Sequence, residues 1–279
     1  MMKIFISVDM EGLAGIHSWS DVNKGGSFKG KILEEQLTWL LEEMVKFDEI
    51  EKITVVDSHA LGDNIPYSIT QIDDRIELIS GFPRKRYMMA GLDETYDRVI
   101  LFGYHAGIGA LNATLDHTYS NTTFHNVWIN GLRMNEALIN SAYAGYLGVP
   151  VCMIVGDEAL REEISDHLER IVYITTKYAL GRFSARFVSK RKLEEEIREG
   201  VKKALSWSRD DLRILRFEPP IELKVEVSKT EFADALEMIN GVERLDGRTL
   251  KFVHDDYAVI FDTLLLMALV GSMMGRLGL

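Results

Sequence analysis

Four short runs rich in Ile and Val, at residues 3–8, 52–56, 98–102 and 149–155, alternate with longer segments of helical period, and this alternation constrains the fold more than any other feature. Strands separated by helices run parallel in one sheet and leave its faces to be covered by those helices. Residues 32–47 read as such a helix, with Leu33, Leu37, Leu40, Leu41 and Met44 at core-facing spacing and Glu34, Glu35, Glu42 and Glu43 opposite. Residues 134–147 read as another. The expected fold class is α/β, a mostly parallel sheet with helices on both faces, plus a smaller α+β domain.

The smaller domain is expected where the texture changes, past about Lys177. There an amphipathic helix at 190–207 is followed by Pro219-Pro220, an alternating strand at Ile221–Val227, a short helix and a strand pair around Asp246-Gly247. Glycine at 247 is expected to take the positive φ of a tight hairpin. Asp255 and Asp256 offer N-cap chemistry to a last helix. The expected division is 1–176 for the α/β part and 177–279 for the α+β part, whose C-terminal helix can pack back on the first.

Composition narrows the class of function. At 279 residues, with 47% hydrophobic and 27% charged residues, the chain is neither disordered nor fibrous. Its net charge of -11, with no basic stripe, argues against nucleic acid as a partner. The single Cys152 lies in an apolar run and reads as a core residue, which fits a reducing, cytoplasmic compartment. The apolar start is too short and too soon acidic for a secretory signal. The uncharged stretch 263–275 falls short of the roughly 18 residues of a membrane span and reads as a buried or interface helix, so no membrane partner is expected. No phosphate-binding glycine motif or Gly-x-Ser-x-Gly elbow stands in the right context.

The chemistry collects at the ends of the strand-like runs. Asp9 and Glu11 stand at i and i+2 as the first run ends, on one face and close enough to repel. The second run ends in Val56-Asp57-Ser58-His59 and the third in Phe102-Gly103-Tyr104-His105. In an open parallel sheet these ends share the ligand-binding edge, so Asp9, Glu11, His59 and His105 should converge. A divalent cation offsets the carboxylate repulsion, and imidazoles with carboxylates suit Zn, Mn or Co better than Mg or Ca. One carboxylate could bridge two metals. Glu136, on spacing alone, reads as a first-turn glutamate facing a helix dipole. His117 lies in a long polar segment with Gly107 and Gly109, where acid–base chemistry, oxyanion chemistry or no role are all open. His17, His125 in a strand, His167 on a surface helix and His254 capping the last helix receive no role.

Ser-Val-Asp9-Met-Glu11-Gly, Asp-Ser-His59, Gly-Tyr-His105-Ala, the loop His117, and Asn-Glu136 ahead of Ala144-Gly-Tyr-Leu-Gly-Val-Pro-Val resemble the DppA-type D-aminopeptidase family of zinc metallopeptidases, in order, as far as about Glu158. The resemblance implies a site of two zinc ions per chain, bridged by Asp9 and completed by Glu11, His59, His105 and Glu136, with His117 as the catalytic histidine. It also implies a Rossmann-like sheet domain that carries the site and a ring-shaped decamer whose active sites face an internal chamber.

The expected function is that of a zinc-dependent aminopeptidase acting on short peptides, with D- and L-residues both open, and with the substrate amine held by a metal or a carboxylate. A homo-oligomer fits the apolar last helix, with Leu264, Leu265, Leu266, Met267, Leu269 and Val270. Two rivals differ in class. Another dinuclear metallohydrolase, a phosphoesterase or amidase, is one; Lys or Arg clamps beside the ligands, the mark of a phosphate site, are not visible in the motifs. A metal-binding or sensing module without turnover is the other.

Overall fold

The structure, a computed structural model, describes residues 1–22 and 27–276; residues 277–279 of the expected C-terminal domain lie outside it. Its elements in chain order are β1 (Met2–Val8), α1 (Trp19–Val22), α2 (Ser27–Met44), β2 (Ile50–Asp57), β3 (Ile76–Ile79), β4 (Arg98–Tyr104), β5 (Phe124–Ile129), β6 (Leu132–Arg133), α3 (Glu136–Tyr146), β7 (Val151–Gly156), α4 (Glu158–Ile164), β8 (Val172–Thr175), β9 (Lys177–Gly181), β10 (Ser184–Phe187), α5 (Lys190–Ser206), β11 (Ile221–Val227), α6 (Thr230–Leu236), β12 (Glu243–Arg244), β13 (Thr249–His254) and α7 (Tyr257–Arg276).

Six strands pair in parallel in the order β3-β2-β1-β4-β7-β8. Numbered within the sheet alone, that order is 3-2-1-4-5-6, the doubly wound arrangement, whose switch point lies between β1 and β4. Period-two alternation in β1 divides two cores: Ile4, Ile6 and Val8 face one cluster with α2 and α5, while Phe5 faces the other with α3. The fold class read from the sequence is the one observed, helices on both faces included.

A second, antiparallel sheet has the order β12-β13-β11-β5-β6. It draws β5 and β6 from the middle of the chain and β11 to β13 from its end, while α5, from beyond residue 177, packs on the parallel sheet against α2. The chain thus passes between the two sheets more than once, and residue 176 does not separate them. The helix α7 buries Ile260, Phe261, Leu264 and Met267 in the core of the antiparallel sheet and α3.

Four local expectations change. Glu43 is not on a solvated face: it is 4% exposed, because α5 crosses α2 there and brings Arg198 and Lys202 to 3.8 Å from its carboxylate. The link at Asp246-Gly247 is a four-residue turn in which Gly247 has no positive φ; Asp246 Oδ1 closes it by accepting from the backbone N–H groups of Arg248 and Thr249, both at 2.8 Å. His167 lies in the turn after α4, not on a helix. And α7 is 20 residues long, more than its uncharged stretch: among the described residues it is the one helix long and apolar enough to cross a bilayer by length and composition.

Candidate metal centre

The parallel sheet brings its strand ends together through close backbone contacts that only glycine allows. Gly12 N–H donates to the Gly103 carbonyl at 2.8 Å, and a Cβ at Gly12 would lie 1.7 Å from the Tyr104 oxygen. Gly103, at φ 77°, approaches the Asp9 carbonyl so closely that a Cβ would lie 2.1 Å from it. These contacts carry the Asp9–Glu11 loop across the end of β4 and onto His105. Ser58 N–H donates to the Val8 carbonyl at 2.8 Å and ties the end of β2 alongside. Asp57 accepts from Asn64 and Ile65, and Asn64 in turn donates to the His59 carbonyl, which sets the turn carrying His59.

Asp9, Glu11, His59 and His105 converge as the strand pattern requires, and Glu136 and His117 join them. Asp9 Oδ1 lies 3.3 Å from His59 Nδ1, and Asp9 Oδ2 lies 3.4 Å from His105 Nε2. Glu11 Oε2 is 3.0 Å from His59 Nδ1. Glu136 Oε1 is 3.6 Å from His105 Nε2 and 3.7 Å from His117 Nε2. The imidazoles of His105 and His117 stack at 4.3 Å. Five of these six side chains are buried and His117 is nearly so. On spacing alone Glu136 reads as a helix-dipole partner; it is the first residue of α3, which Asn135 caps, but its carboxylate turns into the cluster and accepts from Tyr119 N–H at 2.6 Å.

Each histidine anchors one ring nitrogen on a backbone carbonyl, which can only accept: His59 Nε2–H donates to Val22 at 3.3 Å, His105 Nδ1–H to Ala106 at 2.9 Å and His117 Nδ1–H to Leu115 at 2.8 Å. The other nitrogen of each ring therefore aims into the carboxylates, as in histidines that bind metal. Asp9 Oδ2, Glu11 Oε2 and His105 Nε2 are buried without a hydrogen-bond partner. Such orphaned atoms are costly unless a cation satisfies them. Two triads, Asp9–Glu11–His105 and His105–His117–Glu136, hold their ligand atoms within 4.8 Å of one another. The donor set fits a divalent metal.

The electrostatics are those of anions crowded out of water. Burial and the neighbouring Glu11 carboxylate raise Asp9 to about 7. Burial opposes charge on His105, but Glu136 and Asp9 outweigh it and raise the imidazole to about 10. His59 is likewise held well above its usual value against burial, chiefly by Glu11. Burial and the adjacent His105 lower His117, which favours its neutral ring.

A cavity of about 710 Å³ opens above the cluster, lined by Asp9, Glu11, His59, His117 and Glu136 on its floor and by Trp19, the 82–87 segment and α7 on its walls. The sequence motifs alone did not reveal Trp19, which meets His117 edge-on at 5.3 Å, or the cations Arg84, Lys85 and Arg86. These basic residues are remote from the ligands in sequence, so motif reading finds no clamp where the structure places three cations. Their only signal is the basic run following Gly81-Phe-Pro83.

A doubly wound sheet with a buried carboxylate–imidazole cluster at its switch point defines a metal-binding α/β protein with an enzyme-like cleft. The chain belongs to the M55 peptidase family, described as D-aminopeptidase, whose profile matches residues 2–266. It is therefore a peptidase, a hydrolase of peptide bonds. A D-aminopeptidase of Bacillus subtilis (strain 168) is 26% identical over 270 residues, covering 95% of this chain and 96% of that one. The solved structure of the Zn-dependent D-aminopeptidase DppA from Bacillus subtilis, described as a self-compartmentalizing protease, superposes with a TM-score of 0.90 at 25% identity over 98% of each chain.

Proposed function

We propose that this chain is a zinc aminopeptidase that removes N-terminal residues, D-residues included, from short peptides, and that Asp9, Glu11, His59, His105 and Glu136 hold two ions. The observation that carries the dinuclear reading is the posture of Asp9: one oxygen faces His59 and the other His105, as a bridging carboxylate must. Zinc held there supplies a Lewis acid for the scissile carbonyl and brings the pKa of a coordinated water toward about 7. The chain's own residues do the rest. Glu11 and Glu136, with Asp9, would hold the ions in place, and the substrate's free amine would be held at this cluster by a metal or a carboxylate. His117, anchored through Nδ1, keeps its Nε2 lone pair toward the cluster and accepts, then returns, a proton during turnover. The zinc dependence of the Bacillus structure supports this choice of metal.

The test is hydrolysis of alanine di- and tripeptides in L and D forms, with free and acetylated N-termini, beside a generic phosphoester. Free-amine peptides should be cleaved, acetylated ones spared, and a chelator should stop the reaction until zinc restores it. Cleavage of the phosphoester with the peptides untouched would overturn the reading.

The enzyme is further proposed to assemble as a homo-oligomer, a decamer. The self-compartmentalizing description of the Bacillus relative supports assembly, as do Leu266 and Met273, which leave α7 44% and 59% exposed. Light scattering that finds a monomer at micromolar concentration would refute it.

A further inference from the structure

The cavity's floor carries the cluster's three carboxylates, Asp9, Glu11 and Glu136, whose charge bound metal would offset, and one wall is basic, through the consecutive Arg84, Lys85 and Arg86. Leu265 and Leu269 of α7 give another wall an apolar character. In a chain of net charge -11, three adjacent cations on one cavity run against the overall balance.

The three cations are differently occupied. Arg84 donates to the carbonyl oxygens of Asp57, Gly81 and Tyr87, so it braces the backbone. Arg86 donates to the Ala258 carbonyl, pairs with Asp262 at 2.6 Å and lies over the Tyr143 ring. Lys85 is exposed on the cavity wall and has no hydrogen-bond or ion-pair partner among the described residues. Beside it the backbone is left-handed at two successive non-glycine residues, Arg86 at φ 65° and Tyr87 at φ 39°. Such conformations persist only where surrounding contacts impose them, and they concentrate at binding sites. Here the contacts are those of Arg84 and Arg86, which fix the segment on either side of Lys85 and leave its ammonium free for a ligand.

We propose that Lys85 is the subsite for the C-terminal carboxylate of a short peptide whose free N-terminal amine is held at the metal cluster. The subsite rests on the aminopeptidase reading above, since only a substrate with a free amine at the cluster presents its other end to this wall. A peptide held at the cluster by its amine then lies along the cavity toward Lys85, with an apolar side chain against α7. The pair between Lys85 and a carboxylate is a charge-assisted hydrogen bond, stronger than the neutral one a terminal amide could offer. A free C-terminus should therefore be favoured over an amidated one by about tenfold in kcat/KM.

The experiment compares trialanine as free acid and as C-terminal amide, in whichever stereochemical form the enzyme cleaves. The wild-type ratio of kcat/KM, acid over amide, should be about ten, should fall toward one in Lys85→Ala, and should drop below one in Lys85→Glu. Arg276→Ala is the control: it removes another cation lining the cavity, but 14 residues along α7 from Asp262, roughly 21 Å away by helical rise. A ratio that survives in Arg276→Ala and collapses in Lys85→Ala identifies the subsite. A wild-type ratio near one, an unchanged ratio in Lys85→Ala, or an equal fall in Arg276→Ala would overturn it. Cleavage of neither peptide would instead contradict the aminopeptidase reading and remove the subsite with it.

Discussion

His117 stands between two left-handed backbone positions, Leu115 at φ 54° and Tyr119 at φ 57°. Leu115 N–H donates to the Arg182 carbonyl, Asp116 pairs with the Arg182 guanidinium at 3.0 Å, and Tyr119 N–H is held by Glu136. A ring fixed so firmly beside a metal cluster is placed for proton transfer, and His117→Ala should keep its zinc while losing about 10² to 10⁴ in kcat. Kinetics together with metal content check this; loss of stoichiometric zinc would make His117 a ligand instead. The buried acids add a pH dependence. The folded values of Asp9, His59 and His105 all lie above their unfolded ones, so each contributes stability at low pH that is lost as pH rises through the folded value, about 7 for Asp9 and about 10 for His105. Zinc needs these groups unprotonated, so its binding at pH 7 should release at least about one proton per chain and should strengthen between pH 5 and 8. Titration calorimetry in buffers of different ionisation enthalpy measures the release, and a value of zero would contradict the assignment.

The strands made the centre legible, because a parallel sheet gathers every strand end on one edge: Asp9, Glu11, His59 and His105 could be grouped before any geometry was known. Glu136 could not be grouped that way, because the first turn of a helix favours an acid whether or not it faces a site; only resemblance placed it. Nor could the sequence show what holds the Glu11 loop. At the start of β9, Lys177 is fully buried and donates to the carbonyls of Glu11 and Ile16, while Thr176 donates to the carbonyl of Gly12. Burial lowers the Lys177 ammonium to about 8, partly offset by Asp157. Lys177→Met keeps the side-chain bulk but leaves two buried carbonyls without their donor, at about 1 to 3 kcal/mol each. The metal-free variant should melt several degrees lower and bind zinc about tenfold more weakly. Zinc affinity equal to wild type would show that the loop holds Glu11 without this staple.

At the scale of the whole molecule, the α/β class was readable from periodicity, whereas the assignment of segments to sheets was not. The run at 124–129 joins strands almost a hundred residues later in sequence, and α5 returns to the first sheet; such pairings depend on long-range contacts that no local pattern encodes. The cavity shares this origin, since its walls come from Trp19, the 82–87 segment and α7 while its floor comes from the strand ends, the His117 loop and the start of α3. Everything proposed for the chain rests on that floor holding two metal ions through Asp9. The most direct measurement is elemental analysis of protein reconstituted with zinc and freed of excess, compared with Asp9→Ala. About two zinc ions per chain, with both largely lost in Asp9→Ala, is the predicted result; one ion or fewer in the wild type, or undiminished zinc in the variant, would contradict it.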